Sequence, residues 1–172
     1  KEMRIKAETT IQSVNDTLNS ITGGDSFCYL SMQSGSGWIS NPTIVCEGKY
    51  PMYDVSARLY DPDDFETLKE GMSLEERMKM DILTLDGGNI AVSRAKSFPM
   101  TKKINMREKD RKLLRAEIHA RNALFHEDFL IKKFAEKWFR ALRIYKGFTQ
   151  EVLFEWADPD FPKDNQGKIL WD

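Results

Sequence analysis

Arg111–Trp156, RKLLRAEIHARNALFHEDFLIKKFAEKWFRALRIYKGFTQEVLFEW, is the stretch on which the fold turns. Apolar residues recur there at alternate positions in four successive runs: Leu114/Ala116/Ile118/Ala120, Phe125/Phe129/Ile131, Trp138/Leu142/Ile144 and Phe148/Val152/Phe154/Trp156. Glu127 interrupts the second run and Arg140 the third. Successive side chains of a pleated strand point to opposite faces, so serial runs of this kind predict an antiparallel meander with one buried face. Leu130, Phe134, Trp138, Leu142 and Tyr145 also fit a helical period. The density of aromatic and β-branched residues, and the alternation of FTQEVLFEW over Phe148–Trp156, favour strands. Ala135-Glu136-Lys137 is then the expected hairpin tip, with turns or bulges at Asn122-Ala123 and Lys146-Gly147.

Working outward, Lys1–Ser20 reads as a helix with Met3, Ala7, Ile11, Val14 and Leu18 along one side, stopped by Gly23-Gly24. So narrow a stripe suits a stalk, a coiled-coil segment or a helix packed on the domain. Ser26–Gln33, Thr43–Glu47 and Tyr53–Tyr60 are strand candidates, the first two joined by the flexible Ser34-Gly35-Ser36-Gly37. Asp61-Pro62-Asp63-Asp64 starts a short helix that Gly71 ends, and Ser73-Leu74-Glu75-Glu76 is a capping box for a second. Ile82/Thr84 and Ile90–Phe98 supply further strand material around an Asp86-Gly87-Gly88 turn, and Ala157–Asp172 should be mostly irregular. The sum is an all-β fold, an antiparallel immunoglobulin-like β-sandwich with an N-terminal helix and a short helical insertion. Residues 1–21 form the stalk-like helix and 22–172 a single β-sandwich domain.

The chain has 172 residues and a formal net charge of -1, so its overall field does not attract nucleic acid. Lys132, Lys133, Lys137, Arg140, Arg143 and Lys146 interleave with aromatics, but lysines on an exposed strand face also block edge association, and no nucleic-acid partner is expected. No run approaches the roughly 20 apolar residues of a membrane span. Because the first residue is Lys1, an upstream segment carrying an anchor is expected to have been removed. Cys28 and Cys46 sit in strands that could be neighbours; two buried thiols acting as small apolar side chains is the plainer reading, with a disulfide as the alternative.

Little of the chain reads as catalytic. Gly24-Asp25-Ser26-Phe27 resembles the opening block of Gly-Asp-Ser hydrolases, yet neither His119 nor His126 sits in the Asp-x-x-His context that would supply the base. His119, His126, Glu127 and Asp128 are the set from which a two-histidine and carboxylate metal centre could be drawn, although two histidines more often lie on a solvated sheet face. No phosphate-cradling glycine motif occurs, and no cofactor is expected.

Five blocks in order carry a resemblance: Thr22-Gly23-Gly24-Asp25-Ser26-Phe27-Cys28-Tyr29-Leu30, Gly48-Lys49-Tyr50-Pro51-Met52-Tyr53-Asp54-Val55, Ile118-His119-Ala120-Arg121-Asn122, Lys137-Trp138 with Ala141, and Asp158-Pro159-Asp160-Phe161-Pro162. Together they resemble a family of uncharacterised bacterial proteins whose members look membrane-anchored, with one or two N-terminal spans, a helical stalk and a β-domain of this kind. Ala123 departs from the glycine of that pattern. The resemblance implies that Arg111–Trp156 is strand and that Lys1–Ser20 is a stalk; it carries over no catalytic residue.

The expected function is therefore a non-enzymatic β-sandwich module of a membrane-anchored protein. It would bind a protein or small ligand, and its N-terminal helix is a candidate for oligomerisation. Asp25, Ser26, Tyr50, Tyr53, Asp54, Arg121 and Asn122 are the candidate binding residues, being polar or aromatic groups near strand ends. The alternative is a metal-dependent hydrolase using His119, His126 and Glu127 or Asp128.

Overall fold

The computed structural model describes residues 2–35, 38–63, 73, 75–76, 81–99, 104–105, 110–149 and 151–171. After helix α1 (Glu2–Thr22) come strands β1 (Phe27–Gly35), β2 (Trp38–Glu47), β3 (Met52–Tyr60), β4 (Asp81–Ile90), β5 (Ala95–Ser97), β6 (Ile104–Asn105), β7 (Arg111–His119), β8 (Leu124–Phe134), β9 (Lys137–Lys146) and β10 (Val152–Ala157). They form two antiparallel sheets. The smaller runs β1-β2-β5 with β6 also on β2, and the larger runs β10-β9-β8-β7-β3-β4. Most of the helical insertion lies outside the described residues. Within them, Pro62 and Asp63 are helical, and Ser73 and Glu76 exchange the reciprocal bonds of the expected capping box.

The meander is in place from β7 to β10. Its central hairpin closes tightly, Phe134 facing Lys137, with Ala135 and Glu136 both at positive φ (45° and 66°). Lys137 is thus the first residue of β9 rather than part of the tip. A two-residue loop of this hand matches the right-handed strand twist, which outweighs the cost of two non-glycine residues there.

Three local expectations need correction. Phe148 does not open the fourth strand: it lies in the β9–β10 turn and is 90 % exposed. β10 begins at Val152, and a register shift between Val152 and Phe154 leaves Leu153 unmatched, so Val152 turns outward opposite Tyr145 while Phe154 and Trp156 take the inner side opposite Ile144 and Leu142. Leu153 and Phe154 pack on the core, and Trp156, on the edge strand, stays exposed beneath the Arg140 guanidinium. Asp86-Gly87-Gly88 is not a turn. It lies inside β4 as a bulge, with Val55 facing Gly88 and Ser56 facing Asp86, and Gly88 takes the positive φ that an extra strand residue demands. β2 likewise begins at Trp38 rather than at the expected Thr43, so Asn41-Pro42 lies within it, at a register shift against β1 where a missing N–H is tolerated.

The core lies between the sheets. Leu30, Met32, Ile44 and Cys46 on one side meet Leu59, Leu114, Ile118, Phe125, Phe129, Ile131 and Ile144 on the other, each contributing about 1.5–3 kcal/mol if large and fully buried. Cys28 and Cys46 face one another across β1 and β2 as free, buried thiols. The two residues that broke the apolar alternation link the sheets. The Leu30 N–H of β1 donates to Glu127 Oε2 at 2.6 Å, and Arg140 Nη1 donates to the Met32 carbonyl at 3.2 Å. β1 is an edge strand, and these side chains from the opposite sheet occupy backbone groups on its unpaired edge.

Candidate functional site

Six of the seven candidate binding residues converge where α1 meets the sheets. Gly23 (φ 97°) and Gly24 (φ 55°) end the helix, and a Cβ on Gly24 would sit 2.6 Å from the Tyr50 ring. The last carbonyls of α1 then find partners in the β-domain: Tyr53 Oη donates to Ser20 O at 2.9 Å and Arg121 Nη1 to Ile21 O at 3.1 Å. The Arg121 guanidinium also bonds Asp54 and stacks over the Tyr53 ring, placing a cation at the negative end of the helix dipole. Asn122 Nδ2 donates to Gly24 O and Ser26 O, and buried Ser26 Oγ accepts from the Tyr50 N–H. Asp25 sits exposed at the same turn. These residues form a collar that fixes the helix to the β-domain. Most of their polar atoms are engaged within it, Asn122 Oδ1 being buried without a partner among the described residues.

A different region has the geometry of a binding site. On the outer face of the larger sheet the register aligns Tyr60, Arg115, Asp128 and Arg143 in one row across β3, β7, β8 and β9, and Arg58, Glu117, His126 and Tyr145 in the next. A cleft of about 500 Å³ opens here, lined among others by Tyr60, Arg115, His126, Asp128, Arg143 and Tyr145, with Phe148 at its mouth. Asp128 organises it, accepting from Arg115 Nε at 3.0 Å, Arg143 Nη2 at 3.3 Å and the Tyr145 hydroxyl at 3.3 Å. Burial and the neighbouring Asp128 carboxylate push the Tyr145 phenol up. Phe148 covers the His126 ring at 5.5 Å.

The C-terminal tail builds the adjoining wall. Asp158 ties back to Arg140, and Phe161 is buried against Leu130 and Ala141 on the outer face. The tail then turns through Asp164–Lys168 and lays Trp171 over the Arg143 guanidinium at 4.3 Å. Arg143 is thereby held between the Tyr145 and Trp171 rings.

Two nitrogens in this cleft, His126 Nε2 and Arg143 Nε, are buried without a hydrogen-bond partner among the described residues. Buried polar nitrogens are seldom left so, and they mark where a ligand could bind. Glu127 lines the same pocket from below but turns its carboxyl into the core, where burial pushes it up to about 8. At neutral pH it therefore keeps its proton, and the lining carries the charges of Arg115 and Arg143 against Asp128 alone.

The hydrolase set is divided by this arrangement. His126 and Asp128 face the cleft while Glu127 points to the opposite side of the sheet, as neighbouring strand residues must. His119 is exposed on the last residue of β7, and no group of three metal-ligating side chains is assembled among the described residues. Tyr60, Arg115 and Phe148 were not candidate site residues in the sequence, and Arg143 and Tyr145 entered only as part of the basic and aromatic run over Lys132–Lys146, because their proximity depends on the strand register. The outward alternation of Arg143 and Tyr145 on β9 was the one signal available. Comparison with protein-family models, with curated proteins and with solved structures gave no match for this chain, so its own geometry carries the reading of the site.

Proposed function

We propose that this chain is a non-catalytic binding module whose ligand is a small molecule pairing an anionic acceptor group with a flat apolar part, held in the outer cleft of the larger sheet. The observation that carries the reading is the pair of unpartnered buried nitrogens, His126 Nε2 and Arg143 Nε, in a pocket lined by aromatic rings. The guanidinium Nε–H is a donor and needs an acceptor, while the surplus positive charge favours an anion. Tyr60 and Phe148 offer apolar faces for the flat part. Pockets of this size with a few convergent polar groups are typical of small-ligand sites.

As scaffold we propose a sandwich of immunoglobulin-like type in the broad sense of hairpins shared between two facing sheets. Three crossings between sheets, β2 to β3, β4 to β5 and β6 to β7, support it, while the unbroken β7–β10 meander departs from the usual seven-strand order. We also propose that the module belongs to a membrane-anchored protein and that α1 is its stalk. Support comes from a helix attached at its C-terminal end and exposed along its apolar stripe; no helix among the described residues is itself long and apolar enough to cross a membrane.

Titration with benzoate and with phenyl phosphate, followed by amide and side-chain NMR, tests the binding reading. Saturable shifts at His126, Arg143 and Tyr145, weakened by added salt and lost in Arg143→Gln, are expected. Absence of saturable shifts in the cleft, or shifts unchanged in Arg143→Gln, would rule it out.

A further inference from the structure

Helix α1 leaves a long apolar stripe uncovered. Ile11, Val14, Leu18 and Ile21 are 60, 52, 54 and 53 % exposed, although each would favour burial. With Ala7 they recur at alternating spacings of four and three residues, the 3.5-residue period that keeps one seam facing a partner helix. In proteins most helical stability comes from packing an apolar face, and the apolar face of this 21-residue helix is exposed.

The seam points away from its own domain. Asp16, on the far side of the helix, accepts from Tyr50 Oη at 2.9 Å and pairs with Lys49, so the β-domain holds the helix by its opposite face. The positions flanking the seam are suited to close approach. Thr10, Thr17 and Thr22 each donate their hydroxyl to the carbonyl four residues earlier, so the donors are already engaged within the helix. Apart from Arg4 and Glu8, which neutralise one another at 2.9 Å within the helix, the seam and its flanks from Ala7 onward carry no charge.

We infer that the seam's occupant is a second copy of this chain, paired in parallel as a two-stranded coiled coil. Parallel pairing sets Ile11, Val14, Leu18 and Ile21 against their own counterparts and Arg4 against Arg4 at the fraying end. Antiparallel pairing would oppose Ile21 to Arg4. The collar at the helix C-terminus then holds two β-domains side by side, each with its outer cleft.

Sedimentation of the 172-residue chain across a concentration series tests this. The expected result is a mass that rises to twice the monomer's, and that halves in Leu18→Asp and in Val14→Asp while the melting of the β-domain is unchanged. Val14→Cys should cross-link to itself under mild oxidation, and Ser13→Cys, on another face, should not. A wild-type mass that stays monomeric at the highest soluble concentration overturns the inference. So does equal cross-linking at both positions, or a monomer that instead pellets with phosphatidylglycerol vesicles through Leu18.

Discussion

The two faces of the larger sheet put the same residue types to opposite uses. On the inner face Glu127, buried in the core, and Arg140, which also pairs with Asp158, are each bonded to a backbone atom of the smaller sheet. On the outer face Arg115, Asp128 and Arg143 bond one another in a row, leaving buried nitrogens over. The inner groups hold the structure together through bonds to the opposite sheet, since removing Glu127 Oε2 or Arg140 Nη1 would leave a backbone group of β1 without its partner, although Glu127 Oε1 has none among the described residues. The outer groups hold a shape open, because they are satisfied sideways rather than by what lies above them.

The contrast can be broken most severely from the inside. Phe129→Ala empties a fully buried site and should cost about 3–5 kcal/mol in denaturant unfolding, whereas Phe148→Ala, at the cleft mouth, should lie within about 0.5 kcal/mol of wild type and weaken only benzoate binding. Equal losses would mean the faces are not distinct. Glu127→Ala comes next, at about 2–4 kcal/mol, since it deprives the Leu30 N–H of its acceptor and leaves a void.

Titration of Glu127 sharpens the comparison further. Its folded value of about 8 lies above the ordinary 4.5, so between those limits the unfolded chain has released a proton that the native state keeps. Stability conferred by the neutral acid is complete below pH 4.5 and declines as pH rises toward 8, by up to about 1.4 kcal/mol per pH unit. Glu127→Gln, which preserves an acceptor for Leu30, should flatten that slope; unfolding curves at several pH values give the answer directly.

Smaller effects are expected on the outer face. Asp128→Ala should cost about 1–2 kcal/mol, since Arg115 is half-exposed and Arg143 retains its ring contacts, and it should strengthen phenyl phosphate binding by removing the opposing charge. A loss of binding instead would show that Asp128 positions the guanidiniums more than it offsets them. Arg121→Ala, in an exposed ion pair, should shift β-domain stability by less than about 1 kcal/mol while speeding hydrogen exchange in the last turn of α1.

The collar shows how far local sequence reaches. Gly23-Gly24 announced a helix stop, and Tyr53, Arg121 and Asn122 stood out as polar groups that packing did not explain. Their actual partners, the carbonyls of Ser20, Ile21, Gly24 and Ser26, lie about a hundred residues away from Arg121 and Asn122 and left no trace in the pattern. Gly48 is similar: a Cβ there would lie 2.5 Å from Ser26 Oγ, an approach no turn rule foresees.

By itself the sequence determined the strands of Arg111–Trp156, the helix before Gly23 and the antiparallel character of the chain, since alternation, helical period and glycine stops are written in neighbouring residues. Only the tertiary structure decided that Glu127 and Arg140 are the ties between sheets, that a bulge at Leu153 puts Val152 and Phe154 on opposite faces, and that Tyr60, Arg115, Asp128 and Arg143 share a row. Register joins residues far apart in the chain, and a shift of one position would send each of them to the other face.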